Sequence, residues 1–181
     1  MPLDTKGSGV SLANLPVNII DRIEIYKGVV PASLGTDALG GAINIITKQD
    51  KKNYLDVSYG IGSFHTHKAD LNAQFVEPKT GLIIRPTVGV NYSKNDYRMK
   101  DVQMRDESGD NFIYGNPKRF HDDYFSLLGQ IEVGVANRSW ADAFFVSASY
   151  SKTDKELQTG SVQDKVYGMA EKNSDAWNIS A

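Results

Sequence analysis

The sequence predicts a mainly β chain of antiparallel strands, and three observations carry that prediction. From residue 54 onward apolar and polar residues alternate with a period of two, in segments bounded by turn residues, as in a sheet with one apolar and one polar face. No apolar run approaches the ~20 residues that a helical membrane span needs. Residues 1–48 are small-residue-rich and punctuated by glycine, with two β-like runs at 22–26 and 41–47, and the polar stretch 49–53 reads as a connector.

The alternating segments follow in order. Leu55, Val57, Tyr59 and Ile61 oppose Asp56, Ser58, Gly60 and Gly62. Ala69, Leu71, Ala73 and Phe75 then oppose Lys68, Asp70, Asn72 and Gln74. In the third segment Leu82, Ile84, Val88, Val90 and Tyr92 oppose Arg85, Thr87, Gly89, Asn91 and Ser93, with Pro86 demanding a gap or bulge in the ladder. A fourth sets Phe125, Leu127, Ile131, Val133 and Val135 against Ser126, Gln130 and Glu132, and a fifth sets Phe144, Val146, Ala148 and Tyr150 against Ser147, Ser149 and Ser151. Leu128 and Phe145 depart from the pattern by standing on polar faces.

Composition excludes several classes. The 181 residues suit one domain or a piece of a larger protein. A net charge of −2 leaves no surplus of Lys and Arg for nucleic acid. Without cysteine there is no thiol catalysis, disulfide or thiolate metal site. The start, MPLDTKGSGVS, lacks a basic-then-apolar signal peptide, so an export signal is expected outside this chain.

Two arrangements accommodate the alternation, a soluble β-sandwich binding module and a transmembrane β-barrel. The polar faces are rich in Ser, Gly, Asn and Gln rather than Lys and Glu, which favours a lumen over bulk water. Connections at 77–81 and 137–139 are short while 94–121 and 151–176 are long and polar, the habit of outer-membrane barrels; the short link at 63–66 departs from it. Tyr92, Trp140 and Tyr150 lie near strand ends, where an interfacial girdle would place them.

Residues 15–48 carry a more specific signal: Asp21-Arg22-Ile23-Glu24-Ile25, then Tyr26-Lys27-Gly28, Pro31-Ala32, Leu34-Gly35, and the run Ala38-Leu39-Gly40-Gly41-Ala42-Ile43-Asn44-Ile45-Ile46-Thr47-Lys48. This series resembles the C-terminal end of the plug domain of TonB-dependent outer-membrane receptors. The resemblance implies a plug end over 1–48, a connector over 49–53 and the first strands and loops of a transmembrane barrel over 54–181. Such barrels have about 22 strands and a plugged lumen, so this chain is expected to be a fragment of one. It further implies energy-coupled uptake of a scarce ligand such as an iron chelate, haem or cobalamin. The expected partners are outer-membrane lipid and a TonB-type inner-membrane complex, reached through a segment outside the chain; no cofactor is implied.

Within the plug motif, Gly28, Gly35, Gly40 and Gly41 are expected to supply positive φ or close backbone approach. Arg22 and Glu24 share a strand face, and the resemblance suggests that they join plug to barrel while Ile23 and Ile25 pack inward; an exposed surface pair is the alternative. Asn44 completes the motif residues singled out. In the loop 94–121, Tyr97, Phe112, Tyr114 and Phe120 are candidates for ligand capture, against a merely solvated loop. Its acidic cluster 106–111 lacks the EF-hand order of ligands.

Other constellations carry less. His65 and His67 would share a face if extended, but no third metal ligand stands beside them, so no metal site is expected. The glycine spacing over 35–42 has Gly41 and Ala42 where a phosphate loop needs Lys and Ser or Thr. There is no GxSxG, HExxH or thiol, and His121 beside Asp122 and Asp123 has no nucleophile, so no enzymatic activity is expected, including that of a barrel lipase or protease.

Overall fold

The computed structural model describes residues 20–28, 30–31, 40–47, 52–139, 141–159 and 166–180, and no helix occurs among them. Strand β1 (Ile20–Lys27) pairs antiparallel with β2 (Gly41–Thr47) in a two-stranded sheet. The main sheet has six strands: β3 (Tyr54–Gly62), β4 (Thr66–Glu77), β5 (Leu82–Ser93), β8 (Tyr124–Arg138), β9 (Ala141–Thr159) and β10 (Val166–Ser180). They lie in chain order as an antiparallel meander, broken only where the hairpin β6 (Val102–Arg105) and β7 (Phe112–Gly115) is inserted between β5 and β8.

Register turns the alternation into two continuous faces. The pairs Val57↔Leu71, Leu71↔Val88, Ile84↔Val133 and Val133↔Val146 extend one apolar face across the strands, and Ala148↔Ile179 carries it to β10. The other face holds Asn72↔Thr87, Thr87↔Gln130 and Gln130↔Ser149. Burial is inverted relative to a soluble sheet: Asn72, Gln74, Ser126, Ser149 and Ser151 are buried, while Leu55, Ile61 and Ile179 are 69%, 72% and 77% exposed. A sandwich would press this apolar face against a second sheet about 10 Å away; among the described residues nothing covers it, which argues against the β-sandwich alternative.

Three expectations need correction. Residues 151–176 are not a long loop, because β9 continues to Thr159 and β10 begins at Val166, paired from Val166↔Thr159 to Ser180↔Ser147. The apolar periodicity disappears there because both faces of the extension are polar, as in Lys152↔Asp175 on one and Thr153↔Ser174 on the other, while the backbone ladder persists. The loop 94–121 is likewise partly ordered by β6 and β7, paired from Val102↔Gly115 to Arg105↔Phe112. Ile23 and Ile25 do not pack inward: they are 55% and 64% exposed, since among the described residues no second layer covers their face of the two-stranded sheet.

Pro86 leaves a gap rather than a bulge. The β4–β5 ladder passes from Asn72↔Thr87 to Phe75↔Ile84 without a change of register, and Pro86 stays paired with Ile131 on its other side. On the polar face, Phe145 fits because its partner across the ladder is Gly134, where a Cβ would stand 2.3 Å from both the Phe144 carbonyl oxygen and Phe145 Cδ1.

Gly134→Ala is therefore expected to destabilise the sheet by about 1–3 kcal/mol, the cost of overpacking. Gly129→Ala, where an added Cβ meets nothing within 4 Å, should leave stability unchanged or slightly raised. Urea unfolding of both variants checks the contrast.

Candidate functional site

Three groups of side chains stand out, on the β1–β2 hairpin, on the polar face of the main sheet and along the segment 94–123 with the strands that hold it. On the β1–β2 hairpin, Arg22 Nε donates to Glu24 Oε1 at 3.0 Å, and Glu24 Oε2 accepts from Tyr26 Oη at 3.0 Å and from Asn44 Nδ2 at 3.2 Å. These donors, Tyr26 first and then Arg22 and Asn44, hold the Glu24 carboxyl below its ordinary range. Arg22 also meets Asp21 at 3.1 Å, so among the described residues the hydrogen bonds and ion pairs of Arg22 and Glu24 stay within the hairpin. Gly28 has φ +86°, and Gly41 has φ +141° with its missing Cβ 2.5 Å from the Tyr26 carbonyl oxygen. Gly40 shows neither property, because its backbone is not left-handed and its surroundings are open; Gly35 lies outside the described residues.

The polar face of the main sheet carries the second group. Arg85 Nε donates to Gln74 Oε1 at 2.7 Å, its NH1 pairs with Glu132, and its guanidinium lies 4.9 Å from the centre of the Phe145 ring. Strands β4, β5, β8 and β9 each contribute one member, so the network ties the wall together from side to side.

The third group is the segment 94–123. Its return limb is bound to the β9 extension: Asp122 is 5% exposed, accepts from Arg119 Nε at 2.5 Å and from Lys155 Nζ at 2.6 Å, and its carbonyl accepts from Asn95 and Lys155. Burial pushes the Asp122 carboxyl up, but Arg119 and Lys155 outweigh it and hold the group below the usual range. Phe120 N donates to the buried Gln158, Asp123 N to Glu156, and His121 Nε2 lies 3.0 Å from the Ala170 carbonyl oxygen. Toward the tip, Asp106 accepts from Ser108, Asn111 and the Asp110 amide, and these bonds, Asn111's first, lower its pKa to about 2.

The four aromatic candidates fall on this segment but do not converge. Tyr97 packs on Phe64 with centroids 5.5 Å apart, Arg105 covers Phe112 at 4.5 Å, and Tyr114 on β7 is 71% exposed. Phe120 is also exposed, beside the anchored limb. His65 and His67 do not share a face: His65 sits in the 63–65 turn with φ +56° and meets Asp96 at 3.3 Å, whereas His67 lies on β4 and its Nδ1 is 2.8 Å from Tyr59 Oη. Among the described residues no three His, Cys, Asp or Glu side chains form a group able to hold a metal. The network Gln74–Arg85–Glu132 and the Arg119–Asp122–Lys155 cluster escaped the sequence reading. Face parity marks Arg85 and Glu132 as neighbours once strand register is known, but nothing in the spacing links Asp122 to Lys155.

The outward apolar face, the polar inner wall and the long inserted segment at one end are the attributes of a barrel wall. Comparison with known proteins decides which barrel. The chain is 26% identical over 201 residues to the vitamin B12 transporter BtuB of Vibrio vulnificus (strain CMCP6), covering 98% of this chain and 32% of that protein. It is 32% identical over 161 residues to the vitamin B12 transporter BtuB of Vibrio cholerae serotype O1 (strain M66-2), covering 81% of this chain and 24% of that protein. The chain belongs to the TonB-dependent outer-membrane receptors. It spans about a quarter to a third of the length of the curated relatives it matches. No protein-family model matches it. No solved structure matches it either. Its location is accordingly the bacterial outer membrane, and the exposed apolar face of the main sheet suits a lipid surround.

Two outcomes follow from the loop geometry. Asp122→Ala removes the shared acceptor of two cations from a buried site, a change worth about 3–5 kcal/mol where a buried pair is broken; trypsin should then cut the 94–119 segment of the purified receptor much faster than in the parent. Asp106 has a depressed folded pKa, so its ordering contribution is complete above the unfolded value of 3.8 and is lost as pH falls towards about 2. The Asn111 side-chain amide resonance should titrate with a midpoint near the lower value.

Proposed function

We propose that this chain supplies the end of the plug (1–48), a connector (49–53) and the first barrel strands and loops (54–181) of a receptor that imports a cobalamin by energy-coupled transport. The observation that carries the reading is the likeness to two Vibrio proteins named vitamin B12 transporter, extending over 98% and 81% of this chain. Proteins that share a plug ending need not share a ligand; the likeness here also runs through the loop-bearing strands.

In this reading the segment 94–123 is extracellular and captures ligand, with Tyr114 as its most exposed aromatic face. A corrin ring is broad and amphipathic, so aromatic side chains flanked by amides and charges suit it. The loop is held stiff at its base by Asp122, which limits the ordering entropy lost on binding. The β1–β2 hairpin, closed on itself by Glu24, would move as a unit when an inner-membrane TonB-type complex pulls on a segment N-terminal to it. No catalytic step is assigned to any residue.

The test is uptake of labelled cyanocobalamin by cells whose only cobalamin receptor carries this chain. Uptake that needs the energy-coupling complex supports the reading; uptake of a ferric siderophore or haem with none of cobalamin overturns it. Tyr114→Ala is expected to weaken cyanocobalamin binding about tenfold, the loss of one well-placed aromatic contact, with no change in the amount of receptor in the membrane.

A further inference from the structure

The last residues before β8 include a histidine to which neither the ligand-capture reading nor the Asp122 cluster gives a role. His121 has a left-handed backbone, φ +49°, a conformation that a residue other than glycine keeps only where its surroundings hold it. The turn sends its ring across β9: Nε2 lies 3.0 Å from the Ala170 carbonyl oxygen on β10, and Nδ1 lies 3.6 Å from Glu156 Oε1 on β9. One ring thus joins the end of the loop to two strands that follow β8 in the sheet. Ala170 stands at the break in the β9–β10 register, between Val166↔Thr159 and Ala170↔Leu157, where the ladder is irregular and a side-chain donor meets its carbonyl.

From these contacts we infer that His121 is a positioning residue, a proton-operated clasp that mounts the 94–123 segment on β9 and β10 more firmly when its imidazole is charged. A carbonyl oxygen only accepts, so Nε2 carries a hydrogen. In the neutral ring the lone pair of Nδ1 then faces the Glu156 carboxylate, and a proton on Nδ1 turns the same approach into an ion pair. The neighbouring charges favour the charged ring. Glu156 stands directly opposite Glu171 across the ladder, a like-charge pair that a cation beside it relieves. Among the described residues no Lys or Arg pairs with either: Lys152 meets Asp154 at 2.9 Å, Lys155 turns to Asp122 on the opposite parity, and Lys172 lies across from Lys155. On the loop's own limb Asp122 is also held by Arg119, and Asp123 accepts from Tyr92 Oη at 2.8 Å. Glu156 Oε2 accepts from the Asp123 amide whether or not the ring is charged, so the clasp adds to that bond. The attachment is complete with the ring charged and weakens as pH rises through the range, about 5 to 8, in which an imidazole gives up its proton. Its consequence for uptake rests on the segment capturing cobalamin, because a firmer mount lowers the entropy lost when the loop orders on its ligand.

The test uses the whole receptor carrying this chain, purified in detergent and held at pH ~5.5 or ~8, on either side of the ordinary imidazole range. Amide hydrogen exchange over 94–123, divided by the exchange rate of the unstructured peptide at the same pH, reads how firmly the segment is mounted. Its protection should be about fivefold higher at the lower pH, somewhat less than the worth of one fully buried hydrogen bond to a charged partner. The difference should vanish in His121→Gln, which keeps a donor without the charge, and in Glu156→Gln, which can still accept from the Asp123 amide. His121→Arg should hold the higher protection at both pH values. Cyanocobalamin should leave the parent about fivefold faster at the higher pH and leave His121→Gln at one rate throughout. Equal protection of the parent at the two pH values, or a difference that survives in His121→Gln and Glu156→Gln, overturns the clasp. A pH-dependent protection with pH-independent dissociation of cyanocobalamin overturns the positioning role, whereas pH-dependent protection in a receptor that binds no cyanocobalamin supports the clasp and overturns the ligand reading instead. Heat-modifiable migration of each variant identifies a misfolded barrel.

Discussion

The rest of the structure depends on strand register in the six-stranded sheet. In hydrocarbon each backbone N–H and C=O must be satisfied by a neighbouring strand, so the ladder is obligatory and only its register is free to choose. A slip of one residue would turn Ile84, Val133 and Val146 towards the wall interior and expose Arg85, Glu132 and Ser147 to lipid. The alternation thus penalises every odd slip. The cross-strand network of Arg85 with Gln74, Glu132 and Phe145 penalises the even ones, because a shift of two separates all four groups at once. Gly134 adds a steric key, since only a residue without Cβ lets Phe145 turn to the polar face at that height.

The same ladder builds the outer platform. Strand β9 runs 19 residues, longer than the ~9–11 that cross a bilayer, and its surplus becomes the wall to which the return limb of the loop is bound. Charge performs the attachment: Lys155 and Arg119 meet on Asp122, while Gln158 and Glu156 take the amides of Phe120 and Asp123. If the segment captures ligand as proposed, a loop fixed at its base and exposed at its β6–β7 tip loses little entropy on binding yet keeps Tyr114 accessible.

Much of this was legible in the sequence, and the failures have physical causes. Strands β3, β4, β5, β8 and the first half of β9 follow from period two, and the Gly-Gly-Ala-Ile-Asn run identified β2. The outer half of β9 and the start of β10 were read as loop, because a strand beyond the lipid has no apolar face to reveal it; its ladder is visible only when Thr153↔Ser174 and Lys155↔Lys172 are placed side by side. Ile23 and Ile25 alternate correctly, yet alternation says which residues share a face and nothing about what covers that face. The separation of His65 from His67 required the positive φ of the 63–65 turn, carried by Phe64 and His65 themselves, where no glycine or asparagine announces it. Long-range ionic partners are the least legible feature: Asp122 and Lys155 are 33 positions apart, and composition offers dozens of equivalent pairs.

Strand parity also separates the two roles of the β9 extension. Lys155 stands on the inward parity and closes the loop base through Asp122, whereas Glu156 beside it stands on the outward parity, where its carboxylate accepts from the Asp123 amide while its own amide donates to the Asp123 carbonyl oxygen. The end of the loop is therefore held from both faces of one strand, and the two attachments do not compete for a side chain.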